Sequence, residues 1–454
     1  MDLYPELWGL NVNDNDHLVI CGCDTVELAD EYGTPLYIVN EERLRENYDR
    51  ISKAFESRYS NVDVYYSYKT NCVPGVLKVL HESGVKAEVI SGYELWTALK
   101  LGVSPDSIIF NGPNKKDEEL ITAIKHGIKL INADSLSEIE RISQIAGELR
   151  TKANVGIRIC PNIVPKGMNP GTATGSKKSH FGVDLETGEA LEAYEIAASA
   201  KNINLLGMHC HIGSGVKDAE SYVKASEKLL KLASEVKDKL HIDIQYLDLG
   251  GGYGTPCHQD MSSLQFLSYL IFNKMPSTPN PQNCPTIDHF AQRIIETIQT
   301  CCKKYGLSEP NLILEPGRYL TGDTQVLLLR VGGIKEKKGI GKYVLTDGGM
   351  FSTSLMVWVE YHKIFIANRM SAEDYEKYNI FGRVCTTADW LYKGIKLPKL
   401  ELNDLLAVMD TGAYFIATSS NFSYPRPPIL MVKDGSKHII REGESYDDLI
   451  QKDR

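Results

Sequence analysis

Several short runs of the chain carry side chains that are costly to place unless something uses them. Val64-Tyr65-Tyr66-Ser67-Tyr68-Lys69-Thr70-Asn71 reads as a β-strand ending on a lysine. Its residues are β-branched and aromatic, and Pro74-Gly75 follows close behind. An amine just past a buried strand is expensive unless it has work to do. One use is condensation with a carbonyl, because a desolvated lysine gives up its proton and becomes a nucleophile. Taken alone, Lys69 is better explained as a lysine snorkelling from a strand end.

Three further runs change that balance. Leu249-Gly250-Gly251-Gly252-Tyr253-Gly254 follows a strand, and glycines there let several backbone N–H groups approach an anion. His211-Ile212-Gly213-Ser214-Gly215 offers a second turn with a hydroxyl and a histidine at the strand end. Glu315-Pro316-Gly317-Arg318 sets a carboxylate at a strand end and a cation beyond it. Each run alone has a bland reading: a turn, a structural histidine, a buried ion pair. Together they describe one ligand, a flat aromatic aldehyde bearing a phosphate. Lys69 would condense with the aldehyde, Glu315 would pair with a protonated ring nitrogen, and His211 would lie over the ring. The glycines, Ser214 and an arginine would hold the phosphate. That ligand is pyridoxal 5′-phosphate, and a protonated ring nitrogen makes it a strong electron sink suited to decarboxylation.

The elements that must position these groups alternate regularly. Strands are expected at 64–69, 87–91, 107–111, 129–134, 154–159, 204–211, 244–249 and 311–315. Helices between them end on glycines such as Gly84, Gly102, Gly127 and Gly306. Ser135 with Glu138 three residues on fits a capping box. Eight strands alternating with helices predict a (β/α)8 barrel, whose active site lies at the C-terminal strand ends. The residues there are Lys69, Ser91, Asn111, Asp134, Arg158, His211, Gly250 to Gly252 and Glu315. Two loops break the rhythm, 161–181 and 253–288, and loops that long in a compact domain are usually functional or disordered. After Arg318 strand-like pieces dominate, at 325–331, 343–346, 362–366, 405–409, 429–432 and 439–441. The expectation is an α/β barrel over 41–318 and a mainly β domain built from 1–40 and 319–454.

Composition bounds the function. A chain of 454 residues, 43% hydrophobic and 24% charged, is expected to be soluble and globular. Its formal charge of −9 argues against nucleic-acid or anionic-membrane surfaces. There is no apolar run of transmembrane length and no signal-peptide pattern at Met1–Glu6, so a cytoplasmic protein is expected. The ten cysteines are scattered and lack zinc-site spacing, so no metal is expected.

These motifs resemble the alanine-racemase-fold (fold type III) pyridoxal-phosphate decarboxylases, the family of diaminopimelate and ornithine decarboxylases. Tyr66–Asn71, His209–Ser214, Asp248–Gly252 and Glu315–Arg318 match its barrel motifs. Val384-Cys385 with Asp389 is similar to its catalytic cysteine segment, and Asp410-Thr411-Gly412-Ala413-Tyr414 to its late tyrosine motif. The similarity runs from about residue 33 to 441, in order, and lies nearer the diaminopimelate branch. The resemblance implies roles. Lys69 would be the Schiff-base lysine and His211 the ring-stacking histidine. Ser214, Gly251 and Gly252 would hold the phosphate, with Gly317, Arg318, Tyr414 and Arg158 completing the cofactor set. Cys385 would protonate the carbanion from the second subunit of a homodimer. Arg318, Tyr414, Thr386 and Arg383 would meet the substrate.

The match also departs from the family. The diaminopimelate branch carries Cys-Glu-Ser where this chain has Cys385-Thr386-Thr387. It also has an arginine soon after Asp-x-Gly-Met, whereas Phe351 to Trp358 contains none. Both departures concern the distal end of the substrate, where unpaired buried charges cost several kcal/mol. The expectation is therefore α-decarboxylation of an amino-acid substrate whose distal group differs from free diaminopimelate, with diaminopimelate itself as the alternative. A racemase on the same fold would lack the Cys385 segment. A non-catalytic regulator would not be expected to keep Lys69, His211, Glu315 and Cys385 together.

Overall fold

The structure is a computed structural model and describes residues 3–168, 173–273, 275 and 278–454. Parts of both expected long loops, residues 169–172 and residues 274, 276 and 277, lie outside the described residues. Strand β1 (Leu36–Asn40) is buried along its whole length and leads into α1 (Glu41–Glu56), which the Asn40 side chain caps by accepting from Arg43 N.

Eight strands follow: β2 (Val62–Ser67), β3 (Lys86–Val89), β4 (Ile108–Phe110), β5 (Leu130–Ala133), β6 (Ala153–Cys160), β7 (Ile203–His209), β8 (Tyr246–Asp248) and β9 (Asn311–Leu314). Each pairs in parallel with the next, and β9 pairs with β2, so the sheet closes into a barrel. Parallel strands covered on both faces need continuous apolar runs, and Ile108-Ile109-Phe110 is fully buried in that way. Between the strands lie α2 (Pro74–Glu82), α3 (Gly92–Lys100), α4 (Asp117–His126), α5 (Leu136–Glu148), α6 (Glu189–Ser199), α7 (Ala219–Leu240), α8 (Ser263–Phe272) and α9 (Ile287–Tyr305). α7 buries Val223, Leu229, Leu230, Ala233 and Val236, one stripe at helical spacing. α4 and α9 stop on Gly127 and Gly306 in the left-handed conformation.

The capping box at Ser135 is only half formed. Ser135 accepts from Glu138 N, but the Glu138 carboxylate accepts instead from Asp134 N and from the buried Lys115 ammonium at 3.0 Å. The buried Lys115 ammonium and Asp134 N together draw that carboxylate away from Ser135 N.

After the barrel come β10 (Gln325–Lys337), β11 (Gly341–Thr346), β12 (Ile364–Ile366), β13 (Tyr375–Phe381), β14 (Trp390–Pro398), β15 (Leu405–Val408), β16 (Ile429–Lys433) and β17 (Ser436–Arg441). They form one sheet in the order β14-β13-β11-β10-β1-β16-β17, with β15 between β10 and β12. The N-terminal β1 thus sits at its centre, antiparallel to β10 and parallel to β16. β13 and β14 are absent from the sequence expectation. Tyr375-Glu376-Lys377-Tyr378-Asn379 is exposed or half-buried on most of its length, so it lacks the apolar run that signals a strand. The 253–288 stretch is not featureless either. It holds α8, and Gln259–Asp260 pairs with Glu360–Tyr361 of the second sheet domain. No helix among the described residues is long and apolar enough to cross a membrane.

Candidate active site

β2 ends at Ser67, and a single 3-10 turn over Tyr68–Thr70 carries Lys69 out of the strand. Its C-terminal flank is pinned from the second domain. Tyr414 N donates to Thr70 O at 2.8 Å, and Asn71 Nδ2 donates to Gln325 Oε1 and Gly412 O. The strand-end cost anticipated for Lys69 is real but is overruled. Burial works against its charge, yet Glu88 first, then Tyr414 and Glu315, raise its pKa above the ordinary value. The lysine is thus held as an ammonium by buried carboxylates, rather than stripped of its proton by desolvation.

Those carboxylates form one network. Glu88 is fully buried, accepts from Ser67 Oγ, and accepts from Asn111 Nδ2 at 3.0 Å. The same Asn111 Nδ2 donates to Glu315 Oε1 at 2.6 Å, while Asn111 Oδ1 accepts from Asn132 Nδ2 at 2.8 Å. One amide therefore ties the lysine's counter-ion to the carboxylate at the end of β9. Glu315 Oε2 lies 3.5 Å from His209 Nε2. Burial disfavours its charge, but the neighbouring His209 and Lys69 hold its pKa well below the carboxylate range. Asp248 goes the other way: burial, then Glu315, raise it far above its usual value, so it stands as the protonated partner. A pair of buried carboxyls split in this way leaves one fixed anion, which is what a ring nitrogen that must stay protonated requires.

A glycine cradle lies between β7, β8 and β9. A Cβ on Gly251 would sit 1.9 Å from Glu315 O, and one on Gly252 would sit 1.8 Å from Gly213 O. Only glycine fits at these crossings. Gly252 and Gly250 also have φ of +92° and +65°. Gly251 N donates to His211 Nδ1 at 3.3 Å, which fixes the imidazole that faces the cavity. Burial first, then Lys69 and Arg158, keep the His211 pKa far below its ordinary value, so the ring is neutral. A Cβ on Gly317 would meet Thr70 Oγ1 at 2.2 Å, which locks the Glu315–Arg318 turn against the lysine turn.

Lys69, Asn111, Arg158, His209, His211, Ser214, Glu315 and Tyr414 line one cavity of about 1240 Å3. Arg158 lies over the Phe181 ring and 3.6 Å from Asp134. Arg318 backs the cavity. Its Nη1 and Nη2 donate to the two oxygens of the buried Glu360 at 3.1 and 2.6 Å, and its guanidinium lies 5.2 Å from the Tyr414 ring centroid. Cys385, Thr386 and Arg383 are not brought to this cavity within one chain. Cys385 is exposed, and Arg383 lies over the Tyr424 ring. Asp389 pins their loop, accepting from Val384 N at 2.6 Å and Met350 N at 2.7 Å. The sequence reading missed Glu88, His209 and Asp248 as site residues. His209 is two residues before His211 and Asp248 two before Gly250, so period-two alternation could have found both.

The fit to pyridoxal 5′-phosphate rests on this chemistry. An amine, a neutral imidazole, a buried carboxylate and the Ser214 hydroxyl border the same space, and the glycine turn beside them admits no side chain. The family model described as pyridoxal-dependent decarboxylase, pyridoxal binding domain, matches residues 41–322. The chain is 37% identical to a diaminopimelate decarboxylase of Methanothermobacter thermautotrophicus, over 99% of this chain and 97% of that one. It is 33% identical to a diaminopimelate decarboxylase of Bacillus subtilis, over 97% and 96%. The solved structure of diaminopimelate decarboxylase from M. jannaschii in complex with L-lysine superposes with a TM-score of 0.87 at 35% identity, covering 98% of this chain and 97% of that one.

Proposed function

The chain belongs to the fold type III pyridoxal-phosphate-dependent decarboxylases, and from that premise we propose that it removes one carboxylate of diaminopimelate to leave lysine. It is a carboxy-lyase acting on an amino acid. Relatives that span nearly its whole length carry the diaminopimelate decarboxylase name, and this supports that substrate over one with a different distal group. Their catalytic names also set aside the non-catalytic reading. The observation that carries the reaction is the cavity shared by Lys69, His211 and Glu315, with Asn111 Nδ2 donating to Glu315 Oε1 at 2.6 Å.

The residues divide the work. Lys69 would hold the cofactor through its aldehyde carbon, and the Gly251–Gly252 cradle with Ser214 would take the phosphate. Glu315 would keep the proton on the ring nitrogen, and Asn111 keeps Glu315 in place. When bound, the cofactor supplies an electron sink for the pair left behind as CO2 departs. His211, neutral and fixed by Gly251 N, would wall the ring from water without adding charge. Cys385 would deliver a proton from Sγ to the α-carbon of a neighbouring copy's substrate, since its own loop lies away from its own cavity.

Loading the protein with cofactor and supplying diaminopimelate tests this directly. CO2 and lysine are expected in equal amounts. Decarboxylation of ornithine, arginine or an extended amino acid with none from diaminopimelate would reject the substrate and keep the reaction class.

A further inference from the structure

Diaminopimelate carries a second amino-acid head at its distal end, an ammonium and a carboxylate on one carbon. A buried or half-buried site must pair both, or leave charges unpaired at several kcal/mol. The stretch 351–358 offers no arginine, and Thr386 beside Cys385 carries no charge. The cavity itself carries the two missing charges elsewhere. Lys217, half-buried, lines it. Its ammonium donates to His258 O at 2.6 Å and has no carboxylate partner among the described residues. Asp260 lines it too, giving Oδ1 to His258 Nε2 at 3.1 Å. Its Oδ2 lies over the turn at Gly215, 2.9 Å from where a Cβ would sit there.

The local fold explains why these two groups reach the cavity. Val216 N donates to Gly252 O and Gly254 N to Val216 O, so the His211–Gly215 turn and the triple-glycine turn run side by side. A Cβ on Gly254 would lie 2.8 Å from Lys217 Cγ, so glycine there makes room for the lysine stem. Gln259 and Asp260 pair with Tyr361 and Glu360, which stitches the inserted strap across the cavity. The charge of Arg318 is already matched by Glu360, which accepts from both its terminal nitrogens.

We propose that Lys217 and Asp260 read the distal head of the substrate, Lys217 its carboxylate and Asp260 its ammonium. This rests on the reading of diaminopimelate as substrate. The role of the 253–288 insertion is then specificity: it helps supply, from within the same chain, the charges that the 351–358 and 385–387 segments do not carry. Product lysine keeps the distal head and is bound by the same two groups. 1,5-Diaminopentane has no carboxylate and ignores Lys217.

The test uses the cofactor-loaded protein and the variants Lys217→Met, Lys217→Arg and Asp260→Asn. Steady-state turnover of diaminopimelate is measured together with calorimetric binding of lysine and of 1,5-diaminopentane. Lys217→Met is expected to raise KM and the Kd of lysine about 10- to 100-fold, the range for a lost charged hydrogen bond, with kcat and diaminopentane binding little changed. Lys217→Arg should recover most of the loss. Asp260→Asn should weaken both ligands. An unchanged KM and lysine Kd in Lys217→Met, with wild-type turnover intact, would overturn this assignment alone. Loss of cofactor absorbance in that variant would also overturn it, by moving Lys217 to the phosphate. No wild-type turnover of diaminopimelate would remove the proposed function and this inference with it. Should Lys217→Met fail to fold, Lys217→Gln takes its place in the same measurements.

Discussion

Asn111 is a single amide on which two buried carboxyl groups depend. Its Nδ2 donates to Glu88 and to Glu315, and its own oxygen is fixed by Asn132. Replacing it with leucine leaves two buried carboxylates short of a donor, at about 1–3 kcal/mol of stability. The expected result for Asn111→Leu is a lower unfolding midpoint and weaker cofactor binding, read by denaturation and by equilibrium dialysis. Gly251 is the stricter case. A Cβ there would lie 1.9 Å from a backbone oxygen, so Gly251→Ala should abolish cofactor loading by absorbance. That Lys69, His211, Ser214 and Glu315 share one cavity was legible because each stands just past an apolar run, where a polar group needs a reason. Glu88 was not, because it lies inside β3 and only the closed barrel brings it to face Lys69.

At the scale of elements, the turn between β3 and α3 carries its own titration. Glu94 in the first turn of α3 accepts from Ile90 N at 2.8 Å. Burial, and then the charge of Glu88, push its carboxyl up to about 7. A folded pKa above the unfolded value means the native state holds the extra proton. This stabilisation is complete at low pH, below the unfolded pKa, and is lost as pH rises through 7. Between pH 5 and 8 the wild type should lose about 2–3 kcal/mol relative to Glu94→Gln, measured by urea denaturation at each pH. No gap, or wild type gaining ground as pH rises, would contradict the burial argument. The strap is the element that sequence reading handled least well. Its prolines and polar residues read as loop, while its order comes from pairing with Glu360 and Tyr361, about a hundred residues later. Long-range pairing of that kind leaves no local period to find. β13 was missed for the same reason, since its partners β11 and β14 supply the burial that its own residues do not.

The whole molecule is a barrel that presents the lysine and a sheet domain that closes over it. β1 threads the centre of that sheet before the barrel begins, so the two parts cannot be separated by one cut of the chain. Barrel architecture and its order of strands were readable from alternation. The sheet's strand order was not, since nothing local says that β1 lies between β10 and β16. Cys385 gives a prediction that only an assembly can meet. Cys385→Ala should lose about 10²–10⁴-fold in rate, the range for one proton-transfer group. Lys69→Ala should be inactive by itself. Mixing the two inactive chains under conditions that exchange subunits should restore turnover, because one composite site then has both groups. Persistent silence would place the proton donor within one chain.

The most direct test offers the loaded protein an equimolar mixture of diaminopimelate, lysine, ornithine and arginine. Disappearance of each is followed by mass spectrometry. Selective loss of diaminopimelate, matched by growth of lysine, is the result this account requires. Consumption of any other amino acid ahead of diaminopimelate would contradict it.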